Sequence, residues 1–161
     1  MPEMSLTLPV RQLVEFLLRT GSIDNRFTGF DRALEGARLH RKLQKQAVKD
    51  HPDYAAEVAL RHTLTVAEVE YTIEGRADGI FAAPDGTVTI EEIKTTALSA
   101  DAITGEQSPE HWAQGQVYAF IYGVQHDLPR LRVQLTYYQV DEELTLRFSR
   151  DHTIGELTGI V

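Results

Sequence analysis

Residues 75–95 read GRADGIFAAPDGTVTIEEIKT, and the fold prediction starts from this segment. An alternation of polar and apolar residues, with many β-branched side chains, begins near Glu57 and continues to Thr96. Such alternation is typical of strands, and Pro84-Asp85-Gly86 interrupts it with residues that favour a turn. The pattern therefore predicts two or three consecutive antiparallel strands, with the last two joined at this turn.

The strand after the turn carries charged residues at alternate positions. Glu92 and Lys94 are expected to share one face of the strand, whereas Glu91 and Ile93 point to the other face. The same spacing is also found on solvated strand faces that carry ordinary cross-strand ion pairs. The spacing by itself therefore leaves a catalytic and a purely structural interpretation open.

Asp78, on the preceding strand, brings a second carboxylate towards Glu92. If the pairing is symmetric about Asp85-Gly86, Asp78 lies near the level of Ile93. Two carboxylates that converge in a cleft repel each other unless a cation neutralises them. Mg²⁺ prefers oxygen ligands, so we expect both carboxylates and the backbone carbonyl of Ile93 to hold it. Lys94 would then orient an attacking water or stabilise charge on a phosphate.

The other predicted elements follow from helical periodicity, from capping residues and from further alternation. They are a helix with Pro9 at its first position that stops at Gly21, a helix from about Asp31 to Lys49, a helix that opens at Ser108-Pro109-Glu110 and ends near Gly123, and strands at about Arg132 to Val140 and Leu144 to Phe148, joined by a turn that starts at Asp141. The order of elements predicts an α/β fold, with a mixed sheet of about five strands flanked by helices.

The end of the chain carries the start signal of one more helix. Thr153 and Glu156 have the spacing of a capping box, and the sequence stops at Val161, before such a helix could complete two turns. We therefore interpret residues 1–161 as a single domain that belongs to a longer polypeptide.

Composition restricts the chemistry of any bound metal and the setting of the protein. The chain has no cysteine, which excludes a disulfide, a thiolate zinc site and an iron-sulfur cluster, and leaves oxygen or imidazole ligands for a hard cation. Neither an apolar segment of membrane-spanning length nor a signal peptide is recognisable. We therefore expect no membrane association and a cytoplasmic location.

The charge balance bears on nucleic-acid binding. A net charge of −8 opposes it, because phosphate binding depends on Lys and Arg. Seven of the sixteen Lys and Arg residues are nevertheless concentrated in one segment: Arg26, Arg32, Arg38, Arg41, Lys42, Lys45 and Lys49. This segment is either the solvated face of a helix or a local positive surface.

Four short motifs together resemble a known nuclease superfamily. Asp78 followed by Glu92-Ile93-Lys94 resembles the PD-(D/E)XK signature. His40 on a preceding helix, and Gln114 with Tyr118 in a Q-x-x-x-Y motif, resemble its RecB-like branch. The resemblance implies a restriction-endonuclease-like core that hydrolyses phosphodiester bonds in DNA.

The same resemblance assigns roles to individual residues. It makes His40, Asp78, Glu92 and the backbone of Ile93 ligands of Mg²⁺ or Mn²⁺, and Lys94 the catalytic lysine. Gln114 and Tyr118 would position that lysine or contact a DNA phosphate.

Three arginines near these motifs are candidates for DNA contact. Arg38 and Arg41 lie on the same predicted helix as His40. Arg76 should share a face with Asp78, two residues later, and could reach a phosphate or pair with a carboxylate.

Two further segments give a narrower resemblance. Residues 9–24 and 134–140 are similar to the N-terminal nuclease module of bacterial DinG or XPD-like helicases. This implies a helicase domain in the same chain or complex, a role in DNA repair or processing, and single-stranded DNA or DNA ends as substrate.

Two alternatives stay open at this level. One is a catalytically idle module that keeps the nuclease fold for DNA binding or protein docking. The other is an unrelated α/β binding domain for a small acidic ligand or a protein partner.

Overall fold

The computed structural model describes residues 4–17, 30–96, 109–140 and 143–160. The elements follow one another in the order β1 (Met4–Pro9), α1 (Val10–Leu17), α2 (Phe30–Asp50), β2 (Ala55–Val66), β3 (Val69–Ala82), β4 (Val88–Thr96), α3 (Pro109–His126), β5 (Arg130–Gln139), β6 (Leu144–Thr153) and α4 (Ile154–Ile160).

Six strands form one mixed sheet in which β3 has three neighbours. Strand β2 pairs antiparallel with one edge of β3 along almost its whole length. The other edge is shared, because β1 pairs in parallel with residues 69–74 and β4 pairs antiparallel with residues 79–82. Strand β4 continues in parallel to β5, which pairs antiparallel with β6. This confirms the mixed α/β sheet, with one strand more than expected.

Helices cover both faces of the sheet. On β5, the hydroxyl of Tyr137 lies 2.8 Å from Nδ1 of His111 in α3, whereas the ring of the next residue, Tyr138, lies 5.9 Å from Nζ of Lys42 in α2. Because neighbouring strand residues point to opposite faces, α3 and α2 lie on opposite sides of the sheet. Helices α1 and α4 both pack against α3 and therefore belong to its layer.

The main hydrophobic core lies between α3 and the sheet. Its fully buried members include Ile90 of β4, Ile121 of α3, and Leu131, Val133 and Leu135 of β5. Burial of each such aliphatic side chain contributes about 1.5–3 kcal/mol. This core therefore fixes α3 against β4 and β5. None of the helices in the described part of the chain is long and apolar enough to cross a membrane.

The beginning of the chain differs from the prediction. Pro9 is the last residue of a strand and not the first residue of a helix, which begins one residue later. Proline is compatible with the end of an edge strand because that position needs no backbone N–H for the ladder. Strand β1 was not predicted, since it exists only through its pairing with residues more than 60 positions away.

The other predicted boundaries agree more closely with the structure. Helix α2 and strands β2 to β5 lie close to where the sequence patterns predicted them, whereas β6 runs to Thr153, five residues beyond its predicted end at Phe148. The capping box is formed: the Glu156 carboxylate accepts from the Thr153 amide at 2.9 Å. Helix α3, however, runs three residues beyond Gly123, because this glycine packs against Leu131 and does not end the helix. Gly21, Ser108 and Asp141 lie outside the described residues.

The close approach of α3 to the sheet can be tested at Gly115. A Cβ atom there would lie 2.5 Å from Cγ1 of Val133, whose stiff β-branched side chain is fully buried. We expect Gly115→Ala to lower the free energy of unfolding by about 1–2 kcal/mol, because overpacking outweighs the helix propensity of alanine. Urea titration followed by circular dichroism measures this.

Gly155 of α4 provides the matched control. Gly155 is exposed, and the nearest atom to a Cβ added there would be Oγ1 of Thr153, at 3.9 Å. Gly155→Ala should therefore leave the protein as stable or up to about 1 kcal/mol more stable. Equal effects of the two substitutions would contradict the packing argument.

Candidate functional site

Strands β3 and β4 separate next to the predicted motif residues. Their antiparallel ladder ends at the pair Gly79 and Glu91, and neither β1 nor β4 pairs with residues 75–78. Beyond this point residues 92–96 of β4 pair only with β5. We call the space between residues 75–78 of β3 and residues 92–94 of β4 the fork.

The loop between β3 and β4 sets which residues meet at the fork. It contains three residues, 84–86, because the amide of Ala83 donates to the carbonyl of Thr87 at 2.8 Å. Its glycine has a φ of 87°, which glycine adopts readily and which is typical of the last position in such a loop. The expected register was therefore wrong by one residue. Asp78 lies at the level of Glu92, and the two carboxylates face each other directly.

Strand β3 reverses its faces at the fork. An added Cβ on Gly75 would lie 2.6 Å from the Tyr118 hydroxyl on the α3 side, whereas one on Gly79 would overlap the Tyr54 hydroxyl on the α2 side. These glycines are four residues apart and would share a face in a regular strand. The reversal lies between them, at Asp78, and directs its carboxylate towards β4.

A backbone amide that would otherwise continue the ladder donates to one of the two carboxylates. Oδ2 of Asp78 accepts from the amide of Ile93 at 2.7 Å. The amide of Asp78 is in turn directed at the Glu92 carboxylate. The carbonyl of Ile93 lies on the same side of β4 as its amide and therefore also borders the fork. Nδ1 of His40, from α2, lies 3.6 Å from Oδ1 of Asp78.

Glu92 has a buried carboxyl group whose negative charge would lack full compensation. The residue is 4% exposed, and its Oε1 has no hydrogen-bond partner among the described residues. Burial raises the pKa of the Glu92 carboxyl well above its ordinary value, Lys94 opposes this rise and Asp78 adds to it. The site therefore disfavours its own ionised state until a cation approaches.

Two residues of α3 complete the fork. Oε1 of Gln114 accepts from Nζ of Lys94 at 2.8 Å, and the same Nζ lies 3.7 Å from Oε2 of Glu92. Tyr118, one turn later, lies against Gly75, and burial together with the charge of Glu92 raises its pKa to about 12. Its hydroxyl therefore stays protonated and can donate a hydrogen bond at neutral pH.

The residues of the fork fit a hard divalent cation. Oδ1 of Asp78 and Oε1 of Glu92 are not engaged in hydrogen bonds between described residues, and the carbonyl of Ile93 and the imidazole of His40 lie beside them. Oxygen and imidazole ligands suit Mg²⁺ or Mn²⁺. Within the described ranges no three His, Asp or Glu side chains form a cluster with metal-binding geometry, so the fit rests on the chemistry of these donors.

The predicted arginines do not gather at the fork. Arg38 and Arg41 are exposed on α2. Nη1 of Arg76 lies 3.8 Å from Oε1 of Glu57, so the structure forms the carboxylate pair, one of the two alternatives for this residue. The reversal of β3 at Asp78 also removes the expected common face of Arg76 and Asp78.

Sequence reasoning missed two residues next to Asp78. Nε2 of Gln44 donates to the carbonyl of Asp78 at 2.8 Å and to Oε2 of Glu57 at 2.9 Å. Glu57 stands across from Asp78 in the β2–β3 register, with a φ of 55° that is costly for a residue with a Cβ. A buried glutamine one turn after His40 was a usable signal for Gln44, whereas no pattern indicated the conformation of Glu57.

Glu91 has surroundings opposite to those of its neighbour Glu92. It is equally buried, but its carboxylate accepts from the hydroxyls of Tyr54 and Thr136, both at 2.6 Å, and from Nε2 of Gln134 at 3.0 Å. The expected alternation of the two glutamates is therefore present. Glu91 ties β4 to β5 and to the segment before β2.

Comparisons with known proteins support the fold. No protein-family model matches the chain, and no curated protein sequence matches it significantly. The crystal structure of SSO0001 matches with a TM-score of 0.64 at 20% identity, over 96% of this chain and 71% of that chain. An alkaline exonuclease (LHK-Exo) from Laribacter hongkongensis matches with a TM-score of 0.52 at 18% identity, over 94% and 71%. The expected restriction-endonuclease-like fold is confirmed.

The contrast between Glu91 and Glu92 gives a stability test. We expect Glu91→Gln to lower the free energy of unfolding by about 2 kcal/mol, since it weakens three buried hydrogen bonds to a charged acceptor. Glu92→Gln removes an uncompensated buried charge and should leave the metal-free protein as stable as the wild type or more stable. Urea titrations in a chelator at alkaline pH compare the two; equal losses would refute the difference in their surroundings.

The backbone of Glu57 gives a second test. Glu57→Gly should be about 1 kcal/mol more stable than Glu57→Ala, because only glycine adopts this φ without strain. At Ala59, an exposed position of the same strand, Ala59→Gly should instead cost about 1 kcal/mol. Urea unfolding of the three variants measures the order, and Glu57→Ala at least as stable as Glu57→Gly would contradict the strained conformation.

Proposed function

We propose that this chain is a metal-dependent deoxyribonuclease that hydrolyses phosphodiester bonds at the fork. One observation carries the proposal: the buried carboxylate of Glu92, which has an oxygen without a hydrogen-bond partner among the described residues, lies at the level of Asp78 and beside Lys94. Two carboxylates and an ammonium in one partly desolvated cleft suit a divalent cation and a phosphodiester together. The alkaline exonuclease whose structure matches this fold makes nuclease chemistry plausible for this fork.

Asp78, Glu92 and the carbonyl of Ile93 would hold Mg²⁺ or Mn²⁺, with His40 as a further ligand. When bound, the ion supplies polarisation of the phosphodiester and a lower pKa of the attacking water. Oδ2 of Asp78 stays fixed by the amide of Ile93 at 2.7 Å, which leaves Oδ1 for the ion. Strand β4 thus orients the Asp78 carboxylate through a backbone hydrogen bond.

Lys94 would act on the phosphate itself. Its ammonium is held between Gln114 and Glu92 and is 21% exposed, so it can reach a substrate at the mouth of the fork. There it stabilises the negative charge that develops on the phosphate, or orients the attacking water. Gln114 is a positioning residue for Lys94, and Tyr118 is placed to donate a hydrogen bond to a phosphate oxygen.

We further propose DNA single strands or ends as substrate, a helicase domain in the same chain or complex, a cytoplasmic location and a role in DNA repair or processing. The RecB-like motif set supports this setting. The net charge of −8 supports a partner in particular, because it weakens independent binding to DNA. A linked motor domain would supply the effective concentration that the isolated domain lacks.

Cleavage of labelled DNA in Mn²⁺ tests the proposal. We expect Asp78→Asn and Lys94→Met to lower the cleavage rate of single-stranded DNA on the order of a hundredfold or more, since each removes a charge that acts on the reacting phosphate. Asp127→Asn is the matched control, because Asp127 is exposed and asparagine also tolerates its φ of 54°. Equal cleavage by wild type and by the Asp78 and Lys94 variants would refute the assignment.

Calorimetry with Mn²⁺ separates the idle-module alternative from this proposal. A nuclease should show a binding site that Glu92→Gln abolishes, together with cleavage. Metal binding without cleavage of any DNA would favour a module that keeps the fold and has lost the activity.

A further inference from the structure

The solvent side of α2 is strongly basic in an acidic protein. Residues 38–49 contain five Lys and Arg residues and no Asp or Glu, although the chain has a net charge of −8. Arg41, Lys45 and Lys49 are exposed and follow one another at intervals of four residues. On a helix this spacing places them in one row, with steps of about 6 Å and a length of about 12 Å. We call these three residues the α2 row.

The charges of the α2 row are not neutralised within the described part of the chain. No described carboxylate lies within ion-pair distance of Arg41, Lys45 or Lys49. Three arginines elsewhere are paired, in contrast: Arg61 with Glu74, Arg76 with Glu57, and Arg132 with Asp85 and Asp151. An uncompensated row in an acidic protein is therefore a local positive surface, and it is available to an anionic ligand.

The α2 row lies on the helix that also borders the fork. Arg41 directly follows His40, whose Nδ1 lies 3.6 Å from Asp78, and Gln44 of the same helix donates to the Asp78 carbonyl. From there the row runs along α2 away from the fork. It borders a shallow concavity of about 430 Å³, whose lining consists of Arg38, Arg41, Lys42, Lys45, Gln46 and Lys49.

We propose that the α2 row is a phosphate track for one strand of DNA whose end enters the fork. The inference rests on the proposed nuclease function and adds the path of the substrate. Its steps of about 6 Å suit the evenly spaced charges of a phosphodiester backbone, and its position on the helix that borders the fork favours the substrate strand over an acidic protein segment. Lysine and arginine contacts to phosphate carry no sequence information, so binding should be independent of sequence and sensitive to salt.

Fluorescence anisotropy of a labelled oligothymidylate, in a chelator so that no cleavage occurs, tests the track. The double variant Lys45→Gln, Lys49→Gln is compared with Arg130→Gln, Arg147→Gln, whose exposed arginines lie on β5 and β6. Each variant removes two positive charges, so the net charge changes equally. Affinity is measured over a range of salt concentrations for the wild type and both variants.

We expect the double variant Lys45→Gln, Lys49→Gln, the α2 variant, to bind the oligothymidylate on the order of 10- to 100-fold more weakly at low salt. Its salt slope, the slope of log affinity against log salt concentration, should fall in magnitude by about 1.4, since each single-strand phosphate contact contributes about 0.7. The control variant should keep nearly the wild-type slope. Equal slopes for the two variants, or no binding by the wild type, would overturn the track. If neither variant alters the binding of the oligothymidylate, the α2 row is not a DNA track, and an acidic protein would be its ligand instead.

The proposed nuclease function is tested separately. If the wild type cleaves DNA in Mn²⁺ but the salt slope of the α2 variant is unchanged, the phosphate track is refuted and the proposed nuclease function stands. If the salt slope falls in that variant but the wild type cleaves no DNA, the phosphate track is supported and the proposed nuclease function is refuted.

Discussion

The hydrogen bond from the Ile93 amide to the Asp78 carboxylate is the contact on which the site depends. Where β3 and β4 separate, their backbone groups lose ladder partners, and buried backbone groups require replacements. The carboxylate of Asp78 accepts this hydrogen bond in place of the missing strand partner of Ile93. The position at which the β3–β4 ladder ends therefore also sets the geometry of the site, and the acid that binds the backbone there is also a proposed ligand.

The two neighbouring glutamates on β4 differ in role, because Glu91 stabilises the fold and Glu92 belongs to the candidate site. Glu91 accepts hydrogen bonds from three donors and holds the strand in place, whereas Glu92 has a buried oxygen that finds no partner in the part of the chain that the structure describes. A protein can tolerate such an unsatisfied group at a functional site when surrounding interactions stabilise the fold. Glu91, the core beneath α3 and the close contact at Gly115 provide these interactions. The strained backbone of Glu57 beside Asp78 belongs to the same pattern.

Much of the fold could be predicted because its signals are local. Alternation located β2 to β5 and the first half of β6, and the resemblance of the Q-x-x-x-Y motif to the RecB-like branch implied that Gln114 lies near Lys94, where it accepts a hydrogen bond. Strand β1 escaped prediction because its pairing depends on residues far along the chain. The reversal at Asp78 and the conformation of Glu57 arise from the separation of the strands, which no residue pattern specifies. The roles of the site residues stay predictions until metal binding and cleavage are measured.

The three-residue loop between β3 and β4 has a consequence for how this protein could change over time. Side chains alternate along a strand, so a shift of β4 by one position would exchange the faces of all its residues. A loop one residue longer or shorter would move Glu92 towards α2 and Glu91 towards α3, unless a bulge absorbed the change. Gln114 and Tyr118 would then face a different set of side chains. The length of this loop thus determines whether Glu91 or Glu92 faces α3. We therefore expect insertions here to be tolerated far less than at an ordinary surface hairpin.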